Sequence, residues 1–280
     1  MKATFAVCVG VWVALCNPSY GQPPQGGRGG SPTIGQAIQF DLEGKGAQAR
    51  ELFQKAIDEA ATPTAKANAE RGMAMSWAFE GNCVKTGEYE QKAIDYWVTQ
   101  EAANPGNAFY QEGEIADEAG RVCIDAGDLD GAARWYKEGR EMGLKEPGIS
   151  ADRKALWSFR YEHAAARLAA RRGDRTAAAK HVEAARAELD KMTELRGQQE
   201  GFLPYLTGYV ALYLGDYKAA LADLEKANQK DAYIQCLMGQ AYEKLGDKDK
   251  AMEYYRKAAT VRGHNPPAAY VRWFTGKKLG

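Results

Sequence analysis

The sequence has little of what metal, thiol or charge-driven chemistry needs. Its 280 residues hold three histidines and five cysteines. Metal ligation takes several Cys, His or carboxylate ligands at tight spacing; His163, His181 and His264 have no cysteine near them in sequence. HExxH, CxxC and P-loop patterns do not occur, and no serine sits in a strand-to-helix elbow. Charge of one sign is missing too. Lys+Arg and Asp+Glu are both 37, which gives no electrostatic case for nucleic acid or an anionic membrane as partner. Strand-type alternation is nearly absent, and proline is confined mostly to the ends and the joints between helical stretches. These absences argue against an enzyme, a metal site or a cofactor, and they leave an all-helical chain.

Long apolar runs are absent beyond the N-terminus, where Ala3 to Leu15 is too short to span a bilayer comfortably. With Met1-Lys2 before it and Ser19-Tyr20-Gly21 after it, the segment reads as an export signal over residues 1–21; the competing reading is a buried first helix. Leu15 stands before Cys16 where a lipid-attachment site wants a small residue, so anchoring there is disfavoured. The expectation is an exported protein, periplasmic or secreted. Residues 22–33 (QPPQGGRGGSPT) lack apolar content and read as a disordered Pro/Gly linker. Cleavage leaves Cys83, Cys123 and Cys236, an odd and sparse set that is no disulfide framework. Cys123 and Cys236 fall in helical stretches as small apolar fillers. The spacing favours no pair, and pairing stays open.

What the chain does have is repetition. Gly215-Asp216-Tyr217 is echoed at Gly246-Asp247, Gly127-Asp128 and Gly173-Asp174, each followed by an alanine-rich helical pattern. Tyr233 to His264 is the clearest copy: Gly239 and Ala251 are small residues, Tyr242, Leu245, Tyr255 and Ala258 fill the slots around them, and Asp247 stands where a helix cap is needed. The preceding copy runs through Gly208, Leu214, Tyr217, Ala220 and Leu224. On these residues the chain resembles the tetratricopeptide repeat (TPR) family, whose units are helical hairpins of about 34 residues. The second-helix alanines Ala49, Ala93, Ala132, Ala178, Ala220 and Ala251 are spaced 44, 39, 46, 42 and 31 apart, so only the last interval approaches the family's. The resemblance implies an all-α, right-handed α-solenoid of about six TPR-like hairpins. Residues 34–200 would form degenerate repeats, 201–265 two well-formed ones and 266–280 a capping helix. Tyr270, Trp273 and Phe274 would cover the last repeat's apolar face.

In that family the first helix of each unit lines a concave groove. Carried over unit by unit, the fourth gives a basic row, Arg160, His163, Arg167 and Arg171, and the fifth an aromatic row, Phe202, Tyr205, Tyr209 and Tyr213. The third gives Glu114, Asp117, Arg121 and Asp125. Packing between neighbouring helices is the competing reading of the aromatic row, and a solvated helix face that of the basic row. Arginines beside tyrosines would hold a carboxylate or an acidic peptide. Segment 106–150 has ten Asp+Glu against five Lys+Arg and segment 151–200 eight against eleven, a polarity that would orient an extended ligand. The function expected is a non-enzymatic scaffold binding a protein or peptide segment in its groove, in assembly or organisation of the cell envelope. The alternative is a small-molecule or glycan receptor, which a closed pocket lined by Tyr205, Tyr209 and Arg167 would favour. Charge reversal at Arg167 and Arg171 is then expected to abolish capture with helical content intact.

Overall fold

A computed structural model describes residues 31–280, so the expected signal segment and most of the linker lie outside the described residues. Residues 31–33, expected in the linker, instead open the first helix: Ser31 is its N-cap and Pro32 its first residue. Proline suits that position because its missing N–H would have no partner there anyway. Six helical hairpins follow: α1 (Pro32–Leu42) with α2 (Gly46–Asp58), α3 (Pro63–Ala78) with α4 (Cys83–Val98), α5 (Pro105–Ala126) with α6 (Leu129–Gly143), α7 (Ala151–Arg171) with α8 (Arg175–Asp190), a single turn α9 (Arg196–Gln199), α10 (Phe202–Tyr213) with α11 (Tyr217–Leu224), and α12 (Ala232–Lys244) with α13 (Lys248–Ala258). Helix α14 (Pro266–Leu279) ends the chain. Each hairpin packs on the next, which is the all-α solenoid expected.

The Gly-Asp signature has a local cause. Gly127, Gly173, Gly215 and Gly246 sit at φ between 76° and 95°, the left-handed region that ends a helix without a Cβ penalty. Asp128, Asp174 and Asp247 then accept the backbone N–H three residues on, capping the next helix at 2.9, 2.9 and 3.1 Å. Asp216 departs from the pattern. It makes no cap bond and takes Arg175 Nη1 of the preceding hairpin at 2.5 Å, joining two units instead of closing one.

Small residues set how closely the paired helices approach. A methyl on Gly239 would lie 2.6 Å from the Tyr255 ring, and one on Gly208 2.7 Å from Leu224 Cγ. Leu245, expected to fill a slot, is instead 41% exposed at the C-cap of α12. Trp157 of α7 is fully buried in a cradle made by Gly113 of α5 and Gly143 of α6. Gly143→Ala drives its methyl into the indole, and overpacking of this kind costs about 1–3 kcal/mol. A urea melt with Trp fluorescence should show that loss together with a shifted emission.

The ends of the solenoid meet. His264 Nε2 lies 2.8 Å from Asp41 Oδ2, 223 residues away, and its ring stacks on Phe53 and Phe79 at 5.7 and 5.4 Å. Ser76 donates to the other Asp41 oxygen at 2.7 Å. Arg272 donates to the Leu42 carbonyl, and Trp273 packs on Gly81 in the α3–α4 turn. Tyr270 and Phe274 do pack on the last hairpin, through Tyr233 and Tyr255. Yet α14 also touches α3 and α5, so the expected cap is a bridge across the concave side.

Two cysteines pair. Cys83, at the start of α4, and Cys123 of α5 form a disulfide with Cα atoms 4.7 Å apart. The reading of Cys123 as a filler is therefore corrected: two helices of adjacent hairpins bring it against Cys83, a proximity that spacing along the chain does not encode. Asp128 lies beside this pair, but the bond consumes both thiolates that a metal would need. Among the described residues Cys236 is the free cysteine, and burial pushes its thiol pKa up.

Candidate functional site

Helices α5, α7, α10 and α12 present their inner faces to one another, and α14 lies across them. The eight groove residues expected from the repeat register come together there, but not as an open stripe. Arg167 is 4% exposed, His163 7%, and Tyr209 is fully buried. The tight curl and the crossing of α14 turn groove positions into interior ones.

Two of the cavities among the described residues lie at the two ends of α14. The first is about 210 Å³. Arg160, His163, Arg167, Phe202 and Tyr205 line it with Glu114, Asp117 and Gln199, and Asn265-Pro266-Pro267 roofs it. The second is about 410 Å³. Arg171 and Tyr213 line it with Asp125, Gln240, Trp273, Lys277 and Lys278. Tyr209 stands between them: its ring is 6.1 Å from Tyr205 and 4.5 Å from Tyr213.

Arg167 is held by hydroxyls. Its Nη2 donates to Tyr136 at 3.0 Å and its Nη1 to Tyr205 at 3.4 Å. Burial pushes the Tyr136 phenol up to about 12 and Tyr209 well above its usual range. The Tyr136 hydroxyl is therefore neutral at physiological pH, so it solvates the Arg167 guanidinium as a dipole and does not cancel its charge. Arg171 donates to Tyr209 at 3.4 Å, and its guanidinium lies 4.7 Å from the Tyr213 ring centre. The other walls are ion-paired: Glu114 with Arg160, Glu118 with Arg71 at 2.6 Å, and Arg121 with Asp125 at 3.2 Å. Asp125 also accepts the Tyr233 hydroxyl at 2.7 Å, tying α5 to α12 across 108 residues of chain.

Asp117 and His163 of the smaller cavity also depart from ordinary behaviour. Burial raises the Asp117 carboxyl to about 7, with Arg160 and Arg167 opposing and Glu114 assisting. Burial and the nearby Arg167 and Arg121 charges hold His163 well below its usual pKa, so its imidazole is neutral. Gln199 was not anticipated. It comes from the single turn α9, too short to carry a periodic signal, and its side chain is 2% exposed.

Serine, aspartate and histidine also meet at Ser76, Asp41 and His264. The carboxylate sits between the hydroxyl and the imidazole, whereas nucleophilic relay needs the imidazole between them. The cluster is a latch joining the first two hairpins to the joint before α14.

Among the described residues no helix is long and apolar enough to cross a membrane. Residues 232–265, spanning α12, α13 and the joint before α14, match the tetratricopeptide repeat family. No curated protein matches the chain. TPR repeats generally mediate protein binding, and an all-helical fold of this kind is typically a non-enzymatic scaffold. With one repeat matched and five further hairpins stacked before it, the protein is TPR-like.

Proposed function

We propose that the protein is a non-enzymatic TPR-like scaffold that binds an acidic protein segment at the wider end of its concave side. The larger cavity carries this reading. Arg171 and Lys277 supply positive charge around Tyr213 and Trp273, with Lys278 beside them paired to Glu243 at 2.7 Å, and both lysines are exposed. A carboxylate-bearing segment would pair with the cations and lay apolar side chains on the rings. The Cys83–Cys123 disulfide fits an oxidising compartment, which supports export and a place in the cell envelope. The test is fluorescence polarisation with a labelled glutamate-rich peptide. Binding is expected to weaken as salt rises, because exposed charges are screened within about 10 Å at 0.1 M. Lys277→Glu and Arg171→Gln should each weaken it about tenfold with helical content unchanged, one lost charge contact corresponding to about 1.4 kcal/mol. Undiminished binding in both variants would remove the assignment.

A second reading, a receptor for a small molecule, is favoured by the smaller cavity, which is partly enclosed and lined by Tyr205 and Arg167.

A further inference from the structure

We propose that the smaller cavity binds a neutral, polyhydroxylated ring, a single sugar or cyclitol unit, with its hydroxyls on His163 and Gln199 and its C–H face on Phe202 and Tyr205. The proposal rests on the receptor reading and names the ligand class. Buried polar atoms in folded proteins are nearly always hydrogen-bonded, so an orphan marks a place where a partner belongs. On neutral side chains of the cavity wall there are two: His163 Nε2 and Gln199 Nε2, on side chains 7% and 2% exposed.

Their chemistry differs. The His163 imidazole is neutral and hydrogen-bonds the Phe202 backbone. A neutral imidazole that donates through one nitrogen accepts through the other, which makes Nε2 an acceptor. The Gln199 amide nitrogen is a donor. A hydroxyl is the group that serves both, donating to one and accepting from the other. Several hydroxyls on one ring suit an acceptor and a donor held on different helices.

The charges argue against an ionic ligand. Glu114 and Arg160 pair with each other, and Glu118 and Arg121 have partners on neighbouring elements. On the wall the acids Glu114, Asp117 and Glu118 face the cations Arg121, Arg160 and Arg167, three against three when Asp117 is ionised. The Asp117 carboxyl, raised to about 7, is partly protonated at neutral pH and both donates and accepts. The roof confirms the direction. Helix N-termini attract anions through free N–H groups, but the first two residues of α14 are Pro266 and Pro267, which have none. The next two N–H groups are taken by Asn265, at 3.0 Å each.

Size and shape agree. About 210 Å³ is below the usual range for drug-sized ligands and admits one ring with few substituents. Tyr205 and Phe202 lie 5.2 and 6.3 Å from the His163 ring, so aromatic faces adjoin the acceptor.

The test is saturation-transfer NMR and calorimetry on the purified protein. The probes are glucose, galactose, N-acetylglucosamine and myo-inositol, with glutamate and choline as ionic controls. At least one neutral probe should bind. Gln199→Leu should weaken it about tenfold, the loss of one hydrogen bond near 1.4 kcal/mol. Phe202→Ala is the second variant should Gln199→Leu unfold, and it should weaken binding by a similar factor. Binding of glutamate or choline alone would overturn the ligand class and leave a receptor standing. Binding of no probe at millimolar concentration, with ordered water found on His163 and Gln199, would overturn both.

Discussion

The double variant Cys83→Ala/Cys123→Ala is expected to lose about 4 kcal/mol of stability. The bond closes a loop of 40 residues, and cross-linking a loop of that length removes chain entropy worth about 4 kcal/mol from the unfolded state. It also joins the second hairpin to the third, so the loss falls on the propagation of order along the stack. Native and variant proteins should be compared by urea denaturation without reductant. Adding reductant should bring the native midpoint down to that of the variant and leave the variant unmoved. Thiol titration of the denatured protein should find Cys236 reactive and Cys83 and Cys123 blocked. Equal midpoints, or Cys83 and Cys123 both reactive, would show the helices side by side without the bond.

The elements that repeat locally were readable because their causes are local. A left-handed glycine and a capping aspartate need only adjacent residues, so Gly127-Asp128, Gly173-Asp174 and Gly246-Asp247 announce their turns directly. Small residues opposite large ones, Gly239 on Tyr255 or Gly208 on Leu224, follow from helical spacing once the hairpins are paired. The register likewise put Arg160 to Arg171 and Phe202 to Tyr213 on facing helices, where they meet. Curvature was not readable. It sums small rotations over six hairpins, and here it brings Asp41 to His264 and Asp125 to Tyr233. That closure buries the rows, places α14 across them and divides their residues between two cavities. Gln199 and the disulfide were missed for the same reason, since each depends on which distant segments the curl brings together.

Burial also changes what charge reversal at Arg167 measures. Arg167→Glu is expected to cost about 3–5 kcal/mol, the range seen when a buried charge loses its compensation. Arg167 is 4% exposed and donates to Tyr136 and Tyr205. The shorter glutamate would leave at least one of these hydroxyls without its partner, a further loss of about 1–3 kcal/mol where it stays unsatisfied. It would also add an acid beside Asp117, whose ionised form Arg167 now favours. Arg167→Met separates the two effects: it keeps much of the packing volume, removes the donors and adds no acid, so it should cost less than Arg167→Glu. Urea melts followed by near-ultraviolet dichroism of the tyrosine cluster would rank the three proteins. A melt of Arg167→Glu within about 0.5 kcal/mol of native, the range of an exposed substitution, would mean that the guanidinium faces solvent. With the expected ranking, loss of peptide capture in Arg167→Glu reports damage to the interior. The exposed Lys277 and half-buried Arg171 of the wider cavity are then the positions where loss of capture reports binding.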